Sequence, residues 1–274
     1  MPPQVRVATQ PVRGEDGHVV ELSDPLWVFA AVVDGHGGRN AMLLCCQRLP
    51  SLVLSALSPP DATMDSALLG ALEQVAVECR LSPGTSGCCV TALLLNRVSG
   101  AYACANVGDV HAAHVSATSY WMLTQSHRLQ DNADEHMRLH AHVSFATDAA
   151  GAAIGPPRLY PGGLACSRAL GDVDCPHVSA RPHVCRGVLR AGELLLLASD
   201  GVWDSRAYGK IIARARATAS AEAVVRMSSG VDDATALVVT DAPERFRRGL
   251  AGLFSRSGSD SSIDEDATSV SVAV

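Results

Sequence analysis

Apolar residues along the chain gather into two kinds of segment. Short runs rich in Val, Leu and small residues lie near 17–22, 26–33, 88–96, 100–107, 111–116, 193–199 and 234–240. Some alternate and others are continuous; their length and β-branched content read as strands, the continuous ones buried. Longer stretches at 38–57 and 63–80 read as helices. Between them Ser58-Pro-Pro-Asp61 stops one helix and starts the next, with Asp61 or Thr63 as the N-cap. Two more helices are expected at 206–217 and 220–229, and the Gly- and Pro-rich residues 155–163 read as a loop. The layout is mixed α/β.

Two of the continuous runs end alike. Trp27-Val-Phe-Ala-Ala-Val-Val33 delivers Asp34-Gly-His-Gly-Gly38, and Glu193-Leu-Leu-Leu-Leu-Ala-Ser199 delivers Asp200-Gly-Val-Trp-Asp204. A carboxylate at a strand end, followed by glycine, suits a hard metal ion, because glycine lets the backbone turn sharply and approach a ligand. A third acidic pair, Asp232-Asp233, precedes the run at 234–240. If that strand is antiparallel to the others, its start lies where theirs finish. Asp34, Asp200 and Asp232 then converge, and three carboxylates at one place repel unless cations neutralise them. Oxygen-only ligands favour Mg2+, Mn2+ or Ca2+ over zinc or copper.

Composition narrows the picture. With 274 residues, 47% of them hydrophobic, the chain can bury a substantial core, and with 4% aromatics that core is mostly Ala, Val and Leu. The formal net charge of −6 argues against nucleic acid as a bulk electrostatic partner. No apolar run is long enough to span a bilayer. The opening Met-Pro-Pro-Gln-Val-Arg lacks a signal-peptide pattern, and Pro2 stands where myristoylation needs glycine, so an intracellular location, cytoplasmic or nuclear, is expected. Nine cysteines, two pairs of them adjacent and none in C-x-x-C spacing, read as thiols in a reducing compartment. His111, His114, His136, His140 and His142 lack a cysteine at zinc-site spacing and read as surface or packing residues. Cys175-Pro-His-Val-Ser-Ala-Arg181 has the C-x5-R spacing of cysteine-dependent phosphatases. Its loop lacks glycine, Pro176 removes an N–H donor and Pro182 disfavours a helix at Arg181, so the spacing reads as chance. Residues 1–242 read as one domain. Residues 243–274 read as a basic and apolar segment that could dock on a partner, followed by a Ser- and acid-rich tail of disordered composition.

Seven segments in order resemble the metal-dependent protein serine/threonine phosphatases of the type 2C family. They are Glu15-Asp16, Asp34-Gly-His-Gly-Gly38, Ser86-Gly-Cys-Cys-Val-Thr-Ala92, Asn106-Val-Gly-Asp109, Gly162-Gly-Leu-Ala-Cys-Ser-Arg-Ala-Leu-Gly-Asp172, Ala198-Ser-Asp-Gly-Val-Trp-Asp204 and Asp232-Asp-Ala-Thr235. The resemblance implies two stacked antiparallel β-sheets flanked by helix pairs, and a monomer acting on phosphoproteins. It implies two Mn2+ or Mg2+ ions with Asp34 between them, Gly35 contributing its carbonyl, and Asp200 and Asp232 completing the set. Asp109 would help hold a third, looser ion. Glu15, Asp16 and Asp233 would orient the donors around the ions, water activated between them would attack phosphorus, and His36 would protonate the leaving alkoxide. Arg168 and Asp172 would support the site. Several positions depart from the family pattern. Pro11 stands where the family has its phosphate-gripping arginine, leaving Arg13 and Arg6 as candidates. Gly108-Asp-Val-His111, Ser126-His127 and Asp232-Asp233 replace the usual Gly-Asp-Ser-Arg, Asp-His and Asp-Asn. These changes carry the alternative reading, a catalytically weak or inactive phosphatase-like binding or regulatory module.

Overall fold

The computed structural model describes residues 3–240, except 60 and 83; the expected 243–274 segment lies outside the described residues. In chain order the elements are β1 (Gln4–Gln10), β2 (Asp16–Glu21), β3 (Trp27–His36), α1 (Asn40–Ala56), α2 (Met64–Leu81), β4 (Gly87–Asn96), β5 (Ala101–Val107), β6 (His111–Val115), β7 (Tyr120–Met122), α3 (Ala133–Leu139), β8 (Val143–Thr147), β9 (Ala153–Leu159), β10 (Leu170–Gly171), β11 (His183–Val188), β12 (Leu194–Ala198), α4 (Asp200–Trp203), α5 (Tyr208–Thr218), α6 (Ala221–Val225) and β13 (Ala234–Thr240).

Two antiparallel sheets result. One runs β1-β13-β12-β6-β7; the other runs β11-β5-β4-β3-β2, with β10 added beside β4. The continuous apolar strands are continuous because both of their faces are covered. On β3, Val28, Ala30 and Val32 pack between the sheets, while Phe29, Ala31 and Val33 meet α1 and α2. On β12, Leu195 and Leu197 face the other sheet, while Leu194, Leu196 and Ala198 pack with Ile211 and Ile212 of α5 and Val224 of α6. The order is therefore helices, sheet, sheet, helices, the architecture that the resemblance implies.

The helices carry local start signals. Thr63, rather than Asp61, caps α2: its Oγ1 accepts from Ser66 N–H at 3.1 Å, and Ser66 Oγ accepts from Thr63 N–H at 3.0 Å. α1 runs through Pro50, whose missing N–H removes one intrahelical bond. The helix expected at 220–229 ends at Val225. The expected loop at 155–163 is corrected too: β9 pairs with β8 over part of it, in a hairpin that is exposed over most of its length, with Pro157 and Leu159 buried at its base. Among the described residues, no helix is long and apolar enough to cross a membrane.

Candidate metal centre

Strand pairing brings the acidic residues together. Asp16 lies opposite Asp34 in the β2–β3 register, at the end where β3 turns into Gly35 and His36. β12 and β13 are antiparallel, so the end that leads into Asp200 meets the start that follows Asp232 and Asp233. Gly201 allows the close approach: a Cβ there would overlap the Asp233 carbonyl oxygen. Asp109 follows β5 in the turn to β6. Glu15, Asp34, Gly35, His36, Asp109, Asp200, Asp232 and Asp233 all line one cleft of about 380 Å³. Asp16 stands at its edge, its Oδ2 accepting from Ser199 Oγ at 2.7 Å.

The two adjacent aspartates have separate tasks. Asp233 is buried and accepts backbone N–H bonds from Val12, Arg13 (2.7 Å), Gly14 (3.0 Å), Glu15 (2.6 Å) and Asp16 (3.2 Å). Burial raises its carboxyl, but the donors from Val12, Gly14, Glu15 and Arg13 outweigh it and hold the group well below the usual carboxylate range. Asp233 thus builds the turn that presents Glu15 and Arg13. Asp232 stays half-exposed in the cleft, with Arg13 Nη1 at 3.4 Å. Glu15 closes the same turn by accepting from Gly38 N–H at 2.9 Å.

Crowding shows in the protonation of the remaining acids. Burial, then the charges of Asp200, Asp16 and Asp109, push Asp34 well above the carboxylate range. Burial and the Asp109 charge raise Asp200 to about 7, against the opposing pull of Arg128. Burial raises Asp16 to about 6, although the Ser199 and Thr235 hydroxyls act the other way. Carboxylates that prefer to stay protonated together are a set of oxygen donors lacking positive charge. Asp34, Asp200, Asp232 and the Gly35 carbonyl are hard donors, so the set fits Mg2+ or Mn2+.

One positive group that the sequence did not point to meets several of these acids at once. Arg128 spreads its guanidinium over three acids: Nε to Asp109, Nη2 to Asp200 and Nη1 to Asp204, each at 2.6 Å. Burial raises the Asp109 carboxyl, but Arg128 and the thiols of Cys89 and Cys166 more than offset this and lower it. Removing a partner of such a partly buried cluster leaves uncompensated charge. Arg128→Leu is expected to destabilise the cation-free protein by about 3–5 kcal/mol. Added Mn2+ should recover more of the loss than it adds to the unaltered protein, as read by urea unfolding with and without EDTA.

His36 is half-buried, its Nε2 2.8 Å from Asp172 Oδ1. Burial lowers its basicity, but the bond to Asp172 and the charges of Asp172, Asp109 and Glu15 win, so the imidazolium is favoured. Asp172 holds this position at φ +51°, and a Cβ at Gly87 would overlap its carboxylate. Arg168 does not touch the acids of the cleft; it bonds Glu135, Nη2 to Oε1 at 2.7 Å, under the segment that leads to Asp172. Of the two phosphate-binding candidates, the structure brings Arg13 to the cleft and leaves Arg6 outside it, with Arg6 Nη1 on the Ala219 carbonyl and Nη2 on Gln4. Arg158 of β9 lines the cleft as well. Its place within the expected loop had given it no role.

The other sequence candidates lie apart. Cys175 is buried among Leu129, Leu139, Leu159, Ala169 and Val178 and is not one of the residues that line the cleft. His111 bonds Thr124, and His114 bonds Tyr102 and Glu193. His136 and His140 bond the carbonyls of Leu129 and Met137, and His142 stacks on His177.

The chain is a sandwich of two antiparallel sheets that gathers acids from both at one end, a donor set that fits hard divalent cations. The chain belongs to the protein phosphatase 2C family, whose profile matches residues 12–240. It is 30% identical over 256 residues to "Probable protein phosphatase 2C 5" of Arabidopsis thaliana, covering 84% of this chain and 59% of that protein. It is 34% identical over 233 residues to "Probable protein phosphatase 2C 3" of Oryza sativa subsp. japonica, covering 77% and 47%. The chain thus spans roughly half the length of these curated relatives. Among solved structures, a serine-threonine phosphatase 2C from Toxoplasma gondii shares the fold with a TM-score of 0.69 at 19% identity, covering 87% of this chain and 96% of that one. A sex-determining protein of C. elegans does so with a TM-score of 0.78 at 20% identity, covering 91% and 67%.

Proposed function

We propose that the chain is a protein serine/threonine phosphatase that hydrolyses phosphoserine and phosphothreonine with the aid of Mn2+ or Mg2+. The observation that carries this reading is the convergence of Asp34, Asp200, Asp232 and Asp109 in one cleft beside His36. Asp34, the Gly35 carbonyl, Asp200 and Asp232 would hold the ions, with Asp109 as a further donor. When bound, such ions supply Lewis acidity that activates water and neutralises charge on the phosphoryl group. The protein residues do the rest. Asp233 and Glu15 fix the turn that carries Arg13, whose guanidinium is within the cleft to meet a phosphate oxygen. Neither thiol of the cleft is suited to act as a covalent nucleophile. The bond to Cys166, then burial, raises the Cys89 thiol well above its ordinary value. The bond to Cys89 lowers Cys166, but burial and Asp109 leave it at about 11.

His36 holds a proton for the leaving alkoxide. With Nε2 on Asp172, that proton is the one on Nδ1. His36→Asn is expected to lower kcat on a phosphopeptide by about 10²–10⁴-fold. The loss should be much smaller on p-nitrophenyl phosphate, whose leaving group needs no proton, and Mn2+ affinity by calorimetry should change little. The reading as a whole is tested by turnover of a phosphothreonine peptide with and without Mn2+. Cation-dependent release of phosphate is expected, and no release at any Mn2+ or Mg2+ concentration would overturn it.

A further inference from the structure

Cys89 and Cys166 have no part in phosphate hydrolysis, yet both line the cleft. Their sulfurs and a carboxylate oxygen of Asp109 all lie within 4.8 Å of one another, and all three residues are buried. Cys89 sits on β4 opposite Asp34. Gly108 makes room for it: a Cβ at 108 would overlap the Cys89 sulfur. The Arg128–Cys166 bridge pins the second cysteine beside the same turn. Two thiols and one carboxylate form a donor set quite unlike the all-oxygen set next to it.

We propose that Cys89, Cys166 and Asp109 form a binding site for a thiophilic divalent cation of the Zn2+ class in the wall of the cleft. Zinc–sulfur bonds of about 2.3 Å in a tetrahedron put ligand atoms about 3.8 Å apart, so shifts of roughly 1 Å or less close the site. All three residues line the cleft, which would provide the entry path and room for a fourth ligand. On binding, both thiols lose their protons to solvent and the cation takes two thiolates and one carboxylate. Mg2+ and Mn2+ do not compete well for thiolates, so the two sulfurs favour a thiophilic ion even though that ion can also enter an all-oxygen set. The cysteine site is therefore the selective one, and it shares Asp109 with the all-oxygen set. Occupancy of the cysteine site withdraws Asp109 from the hard-cation centre and makes the cleft sensitive to Zn2+.

The test uses Cd2+, whose sulfur bonds absorb in the ultraviolet, on the whole chain in excess Mg2+. A sulfur-to-cadmium charge-transfer band is expected to saturate with one equivalent, and X-ray absorption should show two sulfur neighbours. Cys89→Ser and Cys166→Ser should each weaken binding by at least about 100-fold, whereas Cys45→Ser, in the neighbouring buried thiol group, should not. In the unaltered protein, where no variant has to fold, bound Cd2+ should protect Cys89 and Cys166 from alkylation and leave Cys45 and Cys88 unchanged by mass spectrometry. An all-oxygen shell, or protection confined to other cysteines, would overturn the proposal. These readouts follow ligand identity rather than turnover, so they stand or fall separately from the phosphatase reading.

Discussion

Asp34→Asn is expected to lower kcat/KM on a phosphopeptide by more than about 100-fold, beyond the 10–100-fold typical of residues that only support a metal ligand. The same substitution should make the cation-free protein more stable. Asp34 is buried against Asp200, Asp16 and Asp109, which favour its neutral form, and an amide is neutral without taking up a proton. The sign can be followed with pH. Asp16 and Asp200 have folded pKa values of about 6 and about 7, above their unfolded value. The folded state therefore binds more protons than the unfolded one between the ordinary carboxylate range and about pH 7, and stability falls as pH rises through that window. Asp34→Asn should flatten this fall in thermal unfolding of the EDTA-treated protein. Mn2+ at 100 times its Kd should stabilise the unaltered protein by about 2.7 kcal/mol and the variant far less. A variant that still gains the full increment from Mn2+ would remove Asp34 from the centre.

Asp233→Ala is expected to cost about 2–4 kcal/mol, because a run of backbone N–H groups from Val12 to Asp16 loses its common acceptor. Asp233→Asn should recover little, since an amide nitrogen would face N–H donors where the second carboxylate oxygen stood. Activity should fall with stability, because the turn carries Glu15 and Arg13. Asp232→Ala offers the contrast: half-exposed, it should leave urea stability almost unchanged while weakening Mn2+ binding. If both variants lost stability equally, the division of labour drawn between these neighbours would be wrong.

The sequence made the centre of the fold legible where two covered faces turned a strand into an unbroken apolar run, as at 27–33 and 193–199. β1 was not legible, because Gln4-Val-Arg-Val-Ala-Thr-Gln10 lies at a sheet edge with mixed exposure. β8 and β9 form a hairpin outside both sheets, where Gly155 and two prolines read as a turn. At the site, Asp34, Asp200 and Asp232 could be found because each ends or begins such a run. Arg128 could not, since its partners lie 19, 72 and 76 residues away and no local pattern encodes them. Asp172 was expected to support the site, but its partner could not be read, because its bond to His36 spans 136 residues. The pair Asp232-Asp233 was visible as acid, but only the packing of the 12–16 turn shows which of the two faces inward.

The acids of the cleft come from both sheets: Asp16, Asp34 and Asp109 from the ends of β2, β3 and β5, Asp200 and Asp232 from the ends of β12 and β13. A slip of one sheet over the other by a single residue would displace the two groups by about 3.3 Å. Metal–ligand distances tolerate about 0.2 Å. A bound cation therefore acts as a gauge of alignment between the layers, and slack anywhere in the apolar interior between them is transmitted to the cleft as lost affinity.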